Sequence, residues 1–261
     1  MADDTVLVGM EGVVATVTLN RPKAHNAFDD ALVAELTRTF EYLGGRKDVR
    51  VVVLAGRGKS FCAGADLAHM KKAAGFSQAE NIADAGALAR LLMVLAGMPK
   101  PTVALVQGPA YGGGVGLVSA CDIAIAAEGV SFALTEVRLG LIPAVISPFV
   151  VRAIGDSHSR RFMLTGERFD AATAFRIGLV HEVVPAKALE DRGEEVVRTL
   201  LRSSPDAQRR VKALVDAVSG RPIDDALADD VARRIADARA SEDGKEGIAA
   251  FLEKRSPRWW A

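Results

Sequence analysis

The feature that most constrains the fold is a run of three glycines at 112–114, within the segment Gln-Gly-Pro-Ala-Tyr-Gly-Gly-Gly-Val-Gly at 107–116. Three consecutive glycines have no evident use in packing, but they permit positive φ and let a ligand approach the backbone closely. The run opens a predicted helix (Val115–Cys121), so its free N–H groups would point out of a positive helix end. An oxygen that gains negative charge would be held there. Glu136, twenty positions beyond Gly116, could then move a proton to or from the same ligand.

The composition is that of an ordinary globular protein and excludes some partners. The 261 residues include 33 Lys or Arg and 33 Asp or Glu, so the formal net charge is zero. Nucleic-acid-binding proteins normally carry a basic excess, and no nucleic-acid partner is expected. Cys62 and Cys121 lie in apolar runs, which indicates buried reduced thiols, and we expect a cytoplasmic protein. The four histidines show no ligand spacing, so no metal site is predicted.

The stretch 101–121 contains no charged residue over 21 positions, which is long enough for a membrane span. Five glycines, two prolines and Gln107 make it a poor spanning helix, and no basic cluster flanks it. We interpret it as a buried strand, a loop and a buried helix, with no membrane partner. The acidic residues at 1–4 precede no long apolar core, so no signal peptide is predicted.

Apolar runs alternate with helical patterns, which is typical of the α/β class. The spacing is closer to a spiral of strand–strand–helix units than to a doubly wound sheet. Strands are predicted at 13–19, 49–55, 102–107, 122–127, 130–134 and 179–184. Helices are predicted from Asp29 or Asp30 to Leu43, where Gly44-Gly45 should stop the first, at 81–97, 115–121 and 170–177, and in several pieces over 187–254. Apart from 179–184, the chain from Ser157 onward is expected to be mostly helical.

Two glycine-rich segments fail as nucleotide-binding motifs. A phosphate-binding P-loop that ends in Gly58-Lys59-Ser60 would need a glycine at position 53, which is Val53. A dinucleotide-binding fingerprint that begins at Gly112 would need a glycine at position 117, which is Leu117. The segment 60–67, which follows a buried strand, is built of small residues and has two interpretations. It is either a tight loop ending in an Asp helix cap or a second backbone donor aimed at the pocket of the glycine run.

The chain resembles the enoyl-CoA hydratase/isomerase (crotonase) superfamily over nearly its whole length, from residue 13 to about 256. The motifs that carry this resemblance are Asn20–Ala27, Phe61–Leu67, Gly112-Gly113-Gly114, Cys121-Asp122-Ile123, Ala174–Val180 and Glu246–Arg255. The resemblance implies a crotonase-like spiral core of β-β-α units over 1–200. It also implies a helical oligomerisation region over 201–261, in a homotrimer or a dimer of trimers.

The resemblance further implies an acyl-CoA substrate, with no cofactor beyond the coenzyme A that the substrate carries. In this family two backbone N–H groups bind the thioester carbonyl and stabilise an enolate, and by motif position they belong to Ala65 and Gly113. The other residues that it implies in substrate or coenzyme A binding are Lys23, Ala24, Ala63, Asp66, Leu67, Tyr111, Gly112, Phe251 and Lys254, with Arg57 as a further candidate for phosphate. For Lys23, Arg57 and Lys254 an exposed, solvated cation is an equal alternative. Phe251 and Lys254 are expected to reach a neighbouring subunit's ligand.

One catalytic position departs from the family pattern. Related hydratases use two glutamates, and this chain retains the second as Glu136 but has Gly116 in place of the first. The usual glycine-rich run after Pro143 is also replaced, by Ala144–Pro148. These features resemble a bacterial branch that hydrates methylglutaconyl- or isohexenylglutaconyl-CoA. Three functions therefore remain open: a hydratase with one glutamate, a Δ3,Δ2-enoyl-CoA isomerase, and an acyl-CoA-binding protein that has lost catalysis.

Overall fold

The computed structural model describes residues 4–260. Nine strands are observed: β1 (Val6–Glu11), β2 (Val14–Leu19), β3 (Val51–Gly56), β4 (Thr102–Val106), β5 (Ala110–Tyr111), β6 (Ile123–Ala127), β7 (Ser131–Ala133), β8 (Arg168–Asp170) and β9 (Glu182–Val184) in that part of the chain. The same residues form ten α-helices: α1 (Asp30–Gly45), α2 (Leu67–Ala73), α3 (Gln78–Ala96), α4 (Gly113–Ala120), α5 (Ser147–Thr165), α6 (Ala171–Arg176), α7 (Leu189–Leu201), α8 (Pro205–Val218), α9 (Asp225–Ala240) and α10 (Glu242–Leu252).

The strands form two sheets. The larger has the order β1-β2-β3-β4-β6-β9, and the smaller has the order β5-β7-β8. Only β1–β2 and β7–β8 are antiparallel pairs; the other neighbours run parallel. Successive turns of the chain give one strand to each sheet and then a helix, as with β4, β5 and α4. The predicted α/β spiral of strand–strand–helix units is therefore confirmed.

The core lies between the large sheet and the helices that cover it. Residues 51–54 of β3 are all buried, as the continuous apolar run predicts for a strand covered on both faces. Leu32, Leu36, Phe40 and Leu43 form the buried stripe of α1 and are at most 1% exposed. Each such side chain contributes about 1.5–3 kcal/mol of burial free energy. Apolar periodicity therefore predicts these two elements well.

Other elements differ from the expectation. Helix α1 was expected to stop at Gly44-Gly45, after Leu43. The helix instead includes both glycines, and Arg46, which has an extended backbone, is the first residue after it. Helix α5 begins ten residues before Ser157, at Ser147, and β8 interrupts the region expected to be helical. Strand β8 has only three residues, too few to show a period.

The chain divides into two compact units. The first comprises residues up to 98 together with 102–194, and the second comprises 99–101 with the residues from 195 onward. The boundary at 194/195 lies inside α7, slightly before the predicted division after residue 200. In the second unit α8, α9 and α10 pack on one another, and Ser204 Oγ donates to Asp243 Oδ2 at 2.6 Å.

The uncharged stretch 101–121 is split among β4, β5 and α4, as predicted. Strand β4 and helix α4 are both largely buried in the first unit. Among residues 4–260, no helix has both the length and the apolar character that crossing a bilayer requires.

The buried side chain of Asn26 fixes the loop between β2 and α1. Its Nδ2 donates to the carbonyl oxygens of Arg57, Ser60 and Phe61 at 2.9, 2.9 and 3.1 Å. Its Oδ1 accepts the N–H of Arg21 at 2.8 Å, and its backbone has a φ of 56°, which asparagine tolerates better than most residues. One amide thus ties this loop to the chain that leads to Ala65.

Replacing Asn26 should destabilise the fold in two separable steps. Asn26→Gly keeps the positive φ accessible but leaves buried carbonyl groups unpaired, and should cost about 2 kcal/mol in the free energy of unfolding. Asn26→Ala should cost about 1 kcal/mol more, because alanine disfavours positive φ. Urea denaturation measures both. Asn81→Ala is the control, because Asn81 also donates to two carbonyl groups but is exposed. Equal, small losses for Asn26→Gly and Asn81→Ala would contradict the assignment.

Candidate active site

The three glycines at 112–114 are required by their surroundings. Gly112 has a φ of 48°, in the region that favours glycine. A Cβ on Gly113 would lie 2.6 Å from the ring of Phe28, and one on Gly114 would lie 2.3 Å from the carbonyl oxygen of Cys62. The expectation that the run has no use in packing was therefore wrong. Gly113 and Gly114 have no room for a side chain, because the Phe28 ring and the Cys62 carbonyl oxygen occupy the positions that a Cβ would take.

The N–H of Gly113 is available to a ligand. Gly113 is the first residue of α4, after Gly112 at the N-cap, and Val115 N–H closes the turn onto the Gly112 carbonyl at 2.9 Å. Within residues 4–260 no hydrogen-bond acceptor faces the Gly113 N–H. The first N–H groups of a helix lack partners inside it, so this donor lies at the positive helix end. The prediction that the glycine run opens a helix is confirmed.

The N–H of Ala65 is the second free donor. Phe28 pairs with Ala65 as in a parallel sheet: Phe28 N–H donates to Gly64 at 2.7 Å, and Asp66 N–H donates to Phe28 at 2.8 Å. In such a pair the N–H of Ala65 itself points away from Phe28. No acceptor for it lies in the described part of the chain. Phe28 therefore contacts both donor segments: its backbone pairs with Ala65, and its ring packs against Gly113.

Short contacts bring the two donor loops together. Cys62 and Ala110 form a parallel bridge, in which Tyr111 N–H donates to the Cys62 carbonyl at 2.9 Å. A Cβ on Gly64 would lie 3.0 Å from the carbonyl oxygen of Tyr111 and 3.8 Å from the Cα of Gly112. The segment 62–65 thus runs alongside the start of the glycine run. The segment 60–67 ends in the Asp66 helix cap, as one of its two interpretations expects. The other interpretation, that Ala65 donates to a ligand in the pocket of the glycine run, stays a prediction.

The small sheet places Glu136 beside the glycine run. Tyr111 pairs with Ala133, the Gly112 N–H donates to the Ala133 carbonyl at 2.9 Å, and Glu136 follows three residues later. A Cβ on Gly112 would lie 2.9 Å from Glu136 Oε1, so the carboxyl group lies directly against the Cα of Gly112. This proximity joins the predicted acid/base group to the predicted anion hole.

The environment of Glu136 favours its protonated form. Its side chain is half-buried, and Oε2 is buried with no hydrogen-bond partner among the described residues. Burial raises the pKa of Glu136 above its usual value, partly opposed by the residue's own N–H. The burial is less complete than expected, because Val137 and Leu139 are 38% and 60% exposed while Leu134 is buried. A half-buried carboxyl group with a raised pKa is suited to taking up and releasing a proton.

The position of the missing glutamate is filled by another side chain. A Cβ on Gly116 would lie 2.5 Å from Cγ2 of Ile146 and 3.4 Å from Cδ1 of Leu92. Ile146 is 3% exposed and belongs to the replaced segment 144–148. The two departures from the family pattern are therefore one structural change: an isoleucine occupies the space that a side chain at 116 would enter.

The remaining predicted binding residues of the first unit differ in exposure and in contacts. The Tyr111 hydroxyl lies 2.9 Å from Ser131 Oγ, and the Arg168 guanidinium stacks 5.2 Å above the Tyr111 ring. Ala24 and Ala63 are half-buried, Lys23 and Arg57 are exposed, and Leu67 is 77% exposed.

Asp66 is engaged by protein groups. Its carboxylate caps α2 by accepting from Ala68 and His69 N–H, and it pairs with Arg21 at 3.1 Å. Burial opposes ionisation of Asp66, but these hydrogen bonds and the Arg21 charge lower its pKa below the usual value. Asp66 therefore shapes the loop behind Ala65.

Phe251 and Lys254 belong to the second unit, at and just after the end of α10. The Phe251 side chain is 83% exposed, and Lys254 has a φ of 57°. A single exposed apolar side chain is common on protein surfaces, so the expected contact of Phe251 and Lys254 with a neighbouring subunit's ligand stays a prediction.

Phe28, Asn26 and Ile146 are functional neighbours that the sequence analysis did not single out. Phe28 and Asn26 lie in or next to the motif 20–27, where no periodic signal distinguishes them. Ile146 lies in the segment 144–148, which differs from the family pattern. Its contact with Gly116 was not predicted, because the two residues are far apart in the sequence.

Comparisons with known proteins identify the family that the chain is similar to. The enoyl-CoA hydratase/isomerase family model matches residues 9–261. A probable enoyl-CoA hydratase of Mycobacterium tuberculosis is 36% identical over 262 residues, with 99% of each chain covered. A mevalonyl-coenzyme A hydratase of Aspergillus fumigatus is 32% identical over 253 residues, covering 94% of this chain and 91% of that protein. The crystal structure of an enoyl-CoA hydratase from Shewanella pealeana superimposes with a TM-score of 0.96 at 43% identity, covering 98% of this chain and 96% of that one.

The contact between Gly116 and Ile146 predicts non-additive effects on stability. Gly116→Ala should cost about 1–3 kcal/mol by overpacking, and Ile146→Ala about 2–4 kcal/mol by leaving a cavity. The double variant should cost less than the sum, because the new methyl group enters the space that the isoleucine vacates. Chemical denaturation of the four proteins measures the coupling. Strictly additive losses would show that the two side chains do not share this space.

Proposed function

The chain belongs to the enoyl-CoA hydratase/isomerase family, and we propose that it adds water across the double bond of a 2-enoyl-CoA thioester. The observation that carries this proposal is the pair of unpartnered N–H groups at Ala65 and Gly113 beside the carboxyl group of Glu136. Such a pair is suited to a carbonyl oxygen that becomes an enolate oxygen, and one donor of this kind contributes about 3–4 kcal/mol to transition-state stability.

In the proposed reaction the two N–H groups hold the thioester oxygen throughout. The Glu136 carboxylate takes a proton from water as the water oxygen attacks Cβ, and the electrons of the double bond move onto the thioester oxygen as an enolate. The enolate then collapses, and protonated Glu136 returns its proton to Cα. The carboxylate is regenerated, and the product is a 3-hydroxyacyl-CoA. One carboxyl group thus serves both steps, and nothing beyond the coenzyme A of the substrate is required.

The surroundings of Glu136 support this double role. Its raised pKa narrows the energy gap between the carboxylate and the acid, so both forms are accessible in one turnover. Ile146 and Leu92 close the position from which a second carboxylate would act. The site is therefore consistent with single-carboxylate hydration.

We further infer that the substrate is a branched 2-enoyl-CoA of the glutaconyl type. Two features support this inference: the replaced segment 144–148 places Ile146 near the catalytic loops, and a relative carries the name of a hydratase for a branched acyl group. We place coenzyme A along 63–68, with Lys23 and Arg57 toward its phosphates, and Phe251 and Lys254 against the ligand of a neighbouring subunit. A homotrimer or dimer of trimers in the cytoplasm fits this arrangement. Cys62 and Cys121 are both buried and neither belongs to a disulfide, which fits a reducing compartment.

The alternative is a Δ3,Δ2-enoyl-CoA isomerase, and the single carboxyl group favours it as well. In that reaction one base moves a proton between Cα and Cγ, so the position filled by Ile146 is not needed. The ultraviolet absorbance of the conjugated thioester separates the two. Loss of absorbance from crotonyl-CoA or 3-methylglutaconyl-CoA supports hydration, whereas a gain from a 3-enoyl-CoA supports isomerisation.

Glu136→Gln should lower kcat by at least about a hundredfold, the usual scale for a general acid/base group. In the wild type, kcat/KM should fall as pH decreases through the raised pKa of Glu136, beginning at a higher pH than for a glutamate of ordinary pKa, about 4.3. This acid limb should be absent in the variant. Glu128→Gln, in an exposed turn, is the matched control and should keep the wild-type profile. Equal turnover by wild type and Glu136→Gln over a broad acyl-CoA panel would support the acyl-CoA-binding alternative instead.

Removing one backbone donor tests the anion hole directly. Replacing Ala65 by lactic acid turns its N–H into an ester oxygen and leaves the side chain unchanged. We expect kcat to fall about a hundredfold or more with little change in KM, because the oxyanion contact strengthens in the transition state. The same replacement at exposed Ala79 in the first turn of α3 is the control. Unchanged kinetics at Ala65 would exclude its N–H from catalysis. Gly113→Pro would also remove a donor, but any side chain at 113 meets the Phe28 ring.

A further inference from the structure

Helix α2 lacks the packing that normally positions a helix. None of its residues is buried, although it follows the Ala65 donor after a single residue, Asp66. Its position therefore depends on polar contacts with its neighbours. One set is already described: Asp66 caps its first turn and pairs with Arg21.

The second set of contacts centres on His69. Its Nδ1 lies 3.3 Å from Asp30 Oδ1, at the start of α1, and its Nε2 lies 3.1 Å from Asp84 Oδ1, on α3. The His69 side chain is only 13% exposed, and its ring meets the edge of the Phe76 ring at 6.3 Å between centroids. One imidazole thus bridges three helices, and its position in the sequence is four residues after Ala65.

Both ring nitrogens of His69 face carboxylate oxygens. A ring N–H donates to a carboxylate oxygen, so these contacts can hold the imidazole, and with it α2, between α1 and α3. Lys72 on α2 donates to Asp30 Oδ2 at 2.7 Å, which lowers the pKa of Asp30 through that hydrogen bond and keeps it ionised. The charges of Asp84 and Glu80, both on α3, also act on Lys72.

The same three side chains could in principle hold a divalent cation, since their ligand atoms lie within 4.8 Å of one another. The geometry favours the ion-pair network. The two carboxylates engage opposite nitrogens of the ring, whereas a metal would have to use one nitrogen together with both carboxylates. Lys72 also already occupies the free oxygen of Asp30.

We propose that His69 is a positioning residue for the reaction: held between Asp30 and Asp84, its ring fixes α2 and thereby the direction of the Ala65 N–H. The connection from His69 to Ala65 is short. The backbone N–H of His69 donates to Asp66 Oδ1 at 3.4 Å, and Asp66 directly follows Ala65. Asp30 also adjoins Asp29, whose carboxylate pairs with the same Arg21 that holds Asp66. This role rests on the proposed function, in which Ala65 N–H binds the thioester oxygen.

Steady-state kinetics of His69→Gln test the proposal. We expect kcat to fall about tenfold to a hundredfold with KM changed less than about twofold, because a displaced donor costs transition-state stabilisation more than ground-state binding. Asp84→Asn should give a similar loss, and the double variant should be little worse than either single one. Lys71→Gln removes a charge from an exposed position on the same helix and should behave as wild type. Full kcat in His69→Gln, or strictly additive losses, would overturn the proposal.

One measurement separates this proposal from the proposed function. Amide hydrogen exchange in α2 should be faster in His69→Gln than in Lys71→Gln. This result can be obtained even if the wild type fails to hydrate any enoyl-CoA, which would contradict the proposed function alone. Equal exchange in the two variants, or Zn²⁺ that raises the melting temperature of the wild type but not of His69→Gln, would overturn the role of His69.

Discussion

Two peptide N–H groups without a protein acceptor, at Ala65 and Gly113, are the constraint on which the rest of the structure depends. The two N–H groups can bind one oxygen together only if the surrounding chain holds both in fixed positions. Phe28 does so directly, with its backbone beside Ala65 and its ring against Gly113. Asn26 fixes the loop that carries Phe28, and the small sheet fixes the glycine run. These interactions hold the two donor segments in place and also contribute to the stability of the fold.

The chemistry of the site depends on the residues at two positions, 116 and 146. Gly116 and Ile146 share one space, so an apolar contact stands where a second carboxyl group would otherwise act. Glu136 is left against Gly112 with one buried, unpartnered oxygen and a raised pKa. An apolar wall on one side and a single carboxyl group on the other favour a reaction in which the same proton carrier works twice. This arrangement departs from the two-glutamate pattern that the family resemblance implies.

Elements with a strong apolar period were predictable from sequence, and elements held by polar contacts were not. Strand β3 and the buried stripe of α1 follow directly from their apolar patterns. Helix α2 has no buried residue, and β8 has only three residues, so neither carries a periodic signal. The glycine run and Glu136 suggested an anion hole with an acid, but pairing Ala65 with Gly113 depended on the family motifs. The contacts Gly116–Ile146 and His69–Asp84 join distant positions, for which a single sequence holds no local signal.

The most direct test of the central claim is a crystal structure of the protein with a bound, unreactive acyl-CoA thioester. We predict that the thioester oxygen lies about 3 Å from both the Ala65 and Gly113 nitrogens. We also predict that Glu136 is the only carboxyl group facing the Cα and Cβ atoms. A thioester oxygen bound elsewhere, or a second carboxyl group at Cβ, would contradict the account.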